Sequence, residues 1–163
     1  MRIHFITTGG TIDKVYFDAK SKYEVGRSQV AELLKDANVT FPFDVEQVLA
    51  KDSLELTDAD RLLIRKRVAE APCERVVVTH GTDTMIETAR RLKGLSGKTV
   101  VLTGSMQPAR FRNTDAVFNL GTAIAAVQTL PPGIYLAMNG QVFDPAYARK
   151  DRAKGCFVEG EKQ

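Results

Sequence analysis

Ile3-His4-Phe5-Ile6-Thr7-Thr8-Gly9-Gly10-Thr11-Ile12 is an apolar run that breaks into two glycines, with a threonine directly after them. This pattern describes a buried strand, a sharp turn that glycine tolerates, and a hydroxyl presented at the strand's carboxyl end. In open α/β sheets, ligands bind outside that end. Thr11 is therefore either a nucleophile or a turn residue, and the surrounding sequence has to decide.

Outward from this stretch, strand and helix patterns alternate, the signature of a parallel sheet covered by helices. Strands are expected at residues 2–7, 44–49, 75–79, 98–103 and 133–138, and helices at about 28–37, 57–70, 83–94 and 114–129. The runs Arg75-Val76-Val77-Val78-Thr79 and Thr99-Val100-Val101-Leu102-Thr103 are continuously β-branched or apolar, as strands buried on both faces are. Thr57 with Asp60 reads as a capping box ahead of Leu62, Leu63 and Val68. In the last helix Val117, Leu120, Ile124 and Val127 form one stripe, with Gly121, Ala123 and Ala125 allowing close packing. The polar segment from Asp13 to Gly26, with Tyr16 and Tyr23, reads as a long loop of the kind that serves as an active-site lid. The expected fold is a three-layer α/β/α domain with a mostly parallel sheet, flavodoxin- or Rossmann-like.

Composition bounds the function. With 163 residues, 44% apolar and 26% charged, the chain fits one soluble globular domain. Its 23 basic and 20 acidic residues are spread out, without a basic block interleaved with aromatics, so nucleic acid is not an expected partner. The densest basic stretch, Arg149-Lys150-Asp151-Arg152-Ala153-Lys154, reads on its own as a solvated loop. Cys73 and Cys156 form no disulfide framework and, with only His4 and His80 beside them, no metal site; Cys156 reads as a strand interior. No secretory leader or membrane-length apolar run is seen, so a cytoplasmic location and no membrane partner are expected.

Three of the strands end in small, hydroxyl-rich turns: Thr7-Thr8-Gly9-Gly10-Thr11, Thr79-His80-Gly81-Thr82-Asp83-Thr84 and Thr103-Gly104-Ser105-Met106-Gln107-Pro108. Parallel strands would gather all three on one edge, in a crevice of hydroxyls and backbone N–H groups. There is no Gly-Lys-Ser/Thr phosphate loop and no Gly-x-Gly-x-x-Gly, so nucleotide binding has little support. Threonine catalysis remains, and a threonine hydroxyl needs a base or a polarising partner. Thr82-Asp83 sets a second hydroxyl beside a carboxylate, although both residues also suit a helix cap, and Lys150 is a candidate base. His80 reads as structural, and Thr8, Thr79 and Thr103 as strand formers or turn caps.

Thr8-Gly9-Gly10-Thr11-Ile12, Ser21-Lys22-Tyr23-Glu24-Val25-Gly26 and Thr79-His80-Gly81-Thr82-Asp83-Thr84-Met85 together resemble the bacterial-type L-asparaginase family. The likeness runs from residue 2 to about 155 and matches only that family's amino-terminal catalytic domain, so one such domain without a carboxyl-terminal partner is expected over 1–163. The resemblance implies hydrolysis of L-asparagine to L-aspartate and ammonia by two-step threonine catalysis, without cofactor or metal, in a homo-oligomer (dimer or tetramer). It implies Thr11 as nucleophile and Tyr23 as the lid residue that activates it. Thr82, Asp83 and Lys150 would form a second constellation that handles the attacking water, with Asp83 also holding the substrate ammonium. Ser53 would bind the substrate carboxylate. Gly10, Gly81, Leu54 and the backbone carbonyl of Ser105 would complete the pocket.

Two departures qualify this. Full-size members bring polar side chains to the substrate's ammonium end from the second domain of a neighbouring protomer, so weak substrate binding is expected here. Leu54 stands where many members have a polar residue, and glutaminase activity is expected to be lower. Other readings are an amidohydrolase for glutamine or a peptide-terminal asparagine, an ammonia supplier to a partner amidotransferase, and an inactive amino-acid-binding domain.

Overall fold

Val76, Val77 and Val78 are all fully buried in β5 (Arg75–Thr79), and the alternation of their side chains defines the layers of a computed structural model that describes residues 1–162. Val76 and Val78, with Val100 and Leu102 of β6 (Thr99–Thr103), pack against Ile64 and Val68 of α2 (Asp58–Glu70) and Met85 and Ala89 of α3 (Met85–Arg91). Val77 and Val101 face the other way. With Ile3 and Phe5 of β1 (Ile3–Gly9) they pack against Val30 and Leu34 of α1 (Val30–Asp36) and Leu120, Ala123 and Val127 of α4 (Ala116–Thr129). Each of the Val, Leu, Ile, Met and Phe side chains buried there contributes about 1.5–3 kcal/mol. The three-layer α/β/α architecture is the expected one.

The sheet runs β4 (Phe43–Lys51), β1, β5, β6, β7 (Gly133–Met138), β8 (Gln141–Phe143). The first five strands are parallel, and β8 returns antiparallel through Asn139-Gly140, both at positive φ. The chain leaves β1 for β4 on one side and then crosses to β5 on the other. The strand order therefore reverses between β1 and β5, and a crevice opens outside their carboxyl ends.

Four sequence expectations change. Residues 13–26 form an antiparallel hairpin, β2 (Lys14–Phe17) and β3 (Lys22–Val25), not a loop. Arg149–Lys154 lies in a second hairpin, β9 (Ala148–Asp151) and β10 (Cys156–Glu159), with Cys156 half-buried at the start of β10. In α2 the capping box forms as expected, but Leu62 and Leu63 are exposed. Arg61 is buried in that helix because its guanidinium donates to the Leu56 carbonyl at 2.9 Å and to Glu87 at 3.0 Å. In α4 Val117, Gly121 and Ala125 face outward, and the helix packs through Ala116, Leu120, Ala123 and Val127. Among the described residues, no helix is long and apolar enough to cross a membrane.

Candidate active site

Gly9 and Gly10 have φ of +97° and +86°, in the left-handed region that favours glycine. The register of β1 with β4 shifts between Thr7 and Gly9, and the Gly10 amide then donates to the Lys51 carbonyl at 2.9 Å. This bulge re-aims the chain so that Thr11 starts a single 3-10 turn, Thr11–Asp13, over the crevice. A Cβ on Gly10 would collide with the Gly81 amide, and one on Gly81 would lie 2.6 Å from the Ser53 Cβ and Oγ. The turns after β1, β4 and β5 are thus in direct contact. The turn after β6 joins them: a Cβ on Gly104 would collide with the His80 carbonyl oxygen, and the Ala109 amide donates to the Ile12 carbonyl at 3.1 Å.

Thr82 is buried, and its Oγ accepts a hydrogen bond from Lys150 Nζ at 2.7 Å. Lys150 also donates to Asp83 Oδ1 at 2.8 Å, with Arg152 3.9 Å from the same oxygen. Because Thr82 accepts from Lys150, its own proton points elsewhere; its acceptor within the chain is the Met106 sulfur at 3.7 Å. Neither Thr82 nor Asp83 caps α3, whose first residue follows Thr84.

A relay of asparagines places Lys150. Asn119 of α4 donates to the Gly104 carbonyl at 3.0 Å and accepts from the Asn139 amide at 3.0 Å. Asn139 in turn accepts from the Phe157 amide at 2.8 Å, and Phe157 pairs with Lys150 across the β9–β10 hairpin. His80 is fully buried between the Gly81 carbonyl at 2.7 Å and Thr88 Oγ at 2.8 Å. Burial pushes its pKa down to about 4, and a neutral ring that donates to Gly81 and accepts from Thr88 fits both partners. It is structural, as the sequence suggested.

The other candidates fall around this centre. Ser53 is buried in the turn after β4, and the Thr84 hydroxyl donates to its carbonyl at 2.8 Å. Leu54 is 67% exposed beside it. Ser105 is buried and donates to the Gln107 carbonyl at 2.5 Å. Thr11 is half-buried, without a side-chain partner among the described residues. Tyr23 is half-exposed and does not hydrogen-bond to Thr11. Its ring packs instead against Tyr16, with centroids 5.3 Å apart, and Phe111, 5.7 Å apart.

Three contributors escaped the sequence reading. Lys14 and Asp52 form an ion pair at 3.1 Å beside Ser53. Partial burial opposes the Asp52 charge, but the Leu54 amide, Lys14 and Lys150 together hold its carboxyl below the ordinary 3.8. The third is Asp115, which accepts from the Met106 amide at 2.9 Å and the Gln107 amide at 3.0 Å and so shapes the turn beside Thr82. An Asp directly before an apolar helical run was its visible signal. A cavity of about 360 Å³ lined by Lys14, Tyr23, Asp52 and Glu55 opens under the hairpin. A larger one, about 500 Å³, lies by Leu95, Gly133 and Ile134 at the amino end of β7, and no candidate residue lines it.

Residues 2–157 match the family model described as asparaginase, N-terminal. The chain belongs to the asparaginase family. It is 35% identical over 158 residues to L-asparaginase 2 of Escherichia coli K12, covering 87% of this chain and 44% of that protein. It is 32% identical over 157 residues to a glutamyl-tRNA(Gln) amidotransferase component of Aeropyrum pernix, covering 88% of this chain and 36% of that protein. Among solved structures, the thermostable L-asparaginase from Thermococcus kodakarensis superposes with a TM-score of 0.83 at 28% identity, over 98% of this chain and 51% of that one. This asparaginase-family chain therefore spans about half the length of its relatives or less.

Proposed function

We propose that the protein hydrolyses the side-chain amide of L-asparagine, with Thr11 as nucleophile. The observation that carries this reading is the Lys150 contact with Thr82 and Asp83, formed where the Gly81 backbone abuts the Thr11 turn. The Thr11 Oγ adds to the amide carbon, the C–N bond breaks, and ammonia leaves with the threonine's proton. Water then adds to the resulting ester, releasing aspartate and restoring the Thr11 hydroxyl. The Thr82 hydroxyl, polarised by Lys150, orients that water. Backbone N–H groups of the two touching turns face the carbonyl oxygen as charge develops. Asp83 takes the substrate ammonium, and the Ser53 turn takes its carboxylate.

Ammonia release from asparagine by the wild type and by Thr11→Ala tests this. Full activity in Thr11→Ala overturns the role of Thr11, and an inactive wild type overturns the hydrolase. Running glutamine alongside addresses a second reading, the same chemistry on another amide, which the likeness to an amidotransferase component favours. Self-association is part of the proposal, and sedimentation of the chain measures it.

A further inference from the structure

The foot of the β2–β3 hairpin holds a buried acid that the proposed reaction does not use. Asp13 lies two residues after Thr11 and is fully buried. Its amide donates to the Gly10 carbonyl at 3.1 Å, and its own carbonyl accepts from the Gly26 amide at 2.9 Å. It therefore joins the outgoing and returning ends of the hairpin. Its Oδ1 accepts from the Gln29 amide at 2.8 Å, just before α1, while its Oδ2 is buried without a partner among the described residues. Gln29 is itself buried, and its Oε1 accepts from Arg110 Nε at 2.8 Å. The two neighbours of Arg110 complete the ring: the Ala109 amide bonds Ile12, and the Phe111 ring packs on Tyr23. Asp13 joins the Thr11 turn, the hairpin and the start of α1, and Gln29 links it onward to the β6–α4 loop.

We propose that Asp13 is a positioning residue for the proposed amide hydrolysis: its buried carboxyl clasps the hairpin foot to the start of α1 and so sets the Thr11 turn and Tyr23, and a charge placed there, with the Gln29 amide alone to solvate it, favours opening of the foot. A carboxylate can accept about four hydrogen bonds, and here one N–H serves it. The charged groups of the surrounding elements are committed elsewhere. Lys14 pairs with Asp52, Lys51 at the end of β4 with Asp60, and Glu24 with Lys20 and Lys22. Arg110 engages Gln29, Arg27 is exposed, and Glu32 at the start of α1 is exposed. With no cation beside it, burial pushes the Asp13 carboxyl up to about 7, the Gln29 amide pulling the other way.

The first readout needs no substrate, because the kinetic one rests on the amide-hydrolysis reading. Asp13→Asn keeps the shape and the oxygen facing Gln29 but cannot ionise. Amide exchange at Gly26 and Gln29 is followed in both proteins, and the wild-type to variant rate ratio at each pH cancels the base dependence of exchange. Linkage makes that ratio rise by more than about tenfold between roughly pH 5 and pH 7 and level off above. A flat ratio overturns the clasp. The Asp13 carboxyl ¹³C shift in the wild type gives a variant-free check: a midpoint at the ordinary 3.8 also overturns it. For the reaction, wild-type kcat/KM for asparagine is expected to fall above about pH 7 and the fall to be absent in Asp13→Asn. A rising exchange ratio with identical pH–rate profiles overturns the positioning role. A rising ratio in a wild type that hydrolyses no asparagine overturns the hydrolase and leaves the clasp standing.

Discussion

Lys150 Nζ sits 2.7 Å from Thr82 Oγ although 68 residues separate the two in the chain. That contact spans two elements, the turn after β5 and the β9–β10 hairpin, and the Asn119–Asn139–Phe157 relay holds them together. Lys150→Met keeps the aliphatic stem and removes the donor. Its kcat for ammonia release from asparagine is expected to drop by about 10²–10⁴ with a smaller change in KM. A value within a few-fold of wild type removes Lys150 from the reaction.

Gly10 is constrained twice, by φ of +86° and by the Gly81 amide against which any Cβ would press. Gly10→Ala is expected to lower unfolding free energy by at least about 1–3 kcal/mol and to abolish ammonia release. Urea denaturation measures the first effect. A variant as stable and active as the wild type contradicts the close approach of the two turns.

Two buried groups act on stability with opposite signs. His80 has a folded pKa of about 4 against 6.5 unfolded, so its contribution is full above about 6.5 and is lost as pH falls towards 4. Asp13 has a folded pKa of about 7 against 3.8, so its contribution is full below about 3.8 and is lost as pH rises towards 7. Between these limits their slopes oppose, each at most about 1.4 kcal/mol per pH unit. Denaturation of Asp13→Asn should therefore show stability that climbs more steeply from about pH 4.5 to 6.5 than in the wild type, and His80→Gln the reverse. Parallel curves for all three proteins contradict both assignments.

Leu54 stands exposed on the Ser53 turn beside the site. In the wild type, kcat/KM for glutamine is expected to lie about 10–200-fold below that for asparagine, the span that one methylene allows. Leu54→Gln adds a polar group for the substrate's ionic end and is expected to lower KM for asparagine about 3–10-fold with kcat little changed. Equal kcat/KM for the two amides rejects the preference, and an unchanged KM in the variant takes Leu54 out of the pocket.

The parallel strands were legible to within two residues at each end. Val76–Val78 and Val100–Leu102 are apolar without alternation because helices cover both faces of the sheet there. The two hairpins were not. Lys14–Phe17 with Lys22–Val25, and Ala148–Asp151 with Cys156–Glu159, are short ribbons rich in charge, and their polar composition reads as loop. Alternation in Lys22-Tyr23-Glu24-Val25 and, in the turn between β9 and β10, Gly155 at a φ of +62° were the usable signals. The phase of α2 was misread for a related reason, since a buried Arg61 becomes tolerable only when Leu56 and Glu87 arrive to receive its guanidinium.

Local chemistry was enough to announce a parallel α/β sheet, the glycine turn before Thr11, the Thr82-Asp83 pair and the edge on which they gather. Glycine's positive φ and the periods of helix and strand are settled within a few residues of chain. The Lys150 contact with Thr82, the isolation of the Asp13 carboxyl and the packing of Tyr23 on Phe111 required the folded molecule. Burial and side-chain pairing depend on segments tens of residues away, and no local pattern records which of them will arrive.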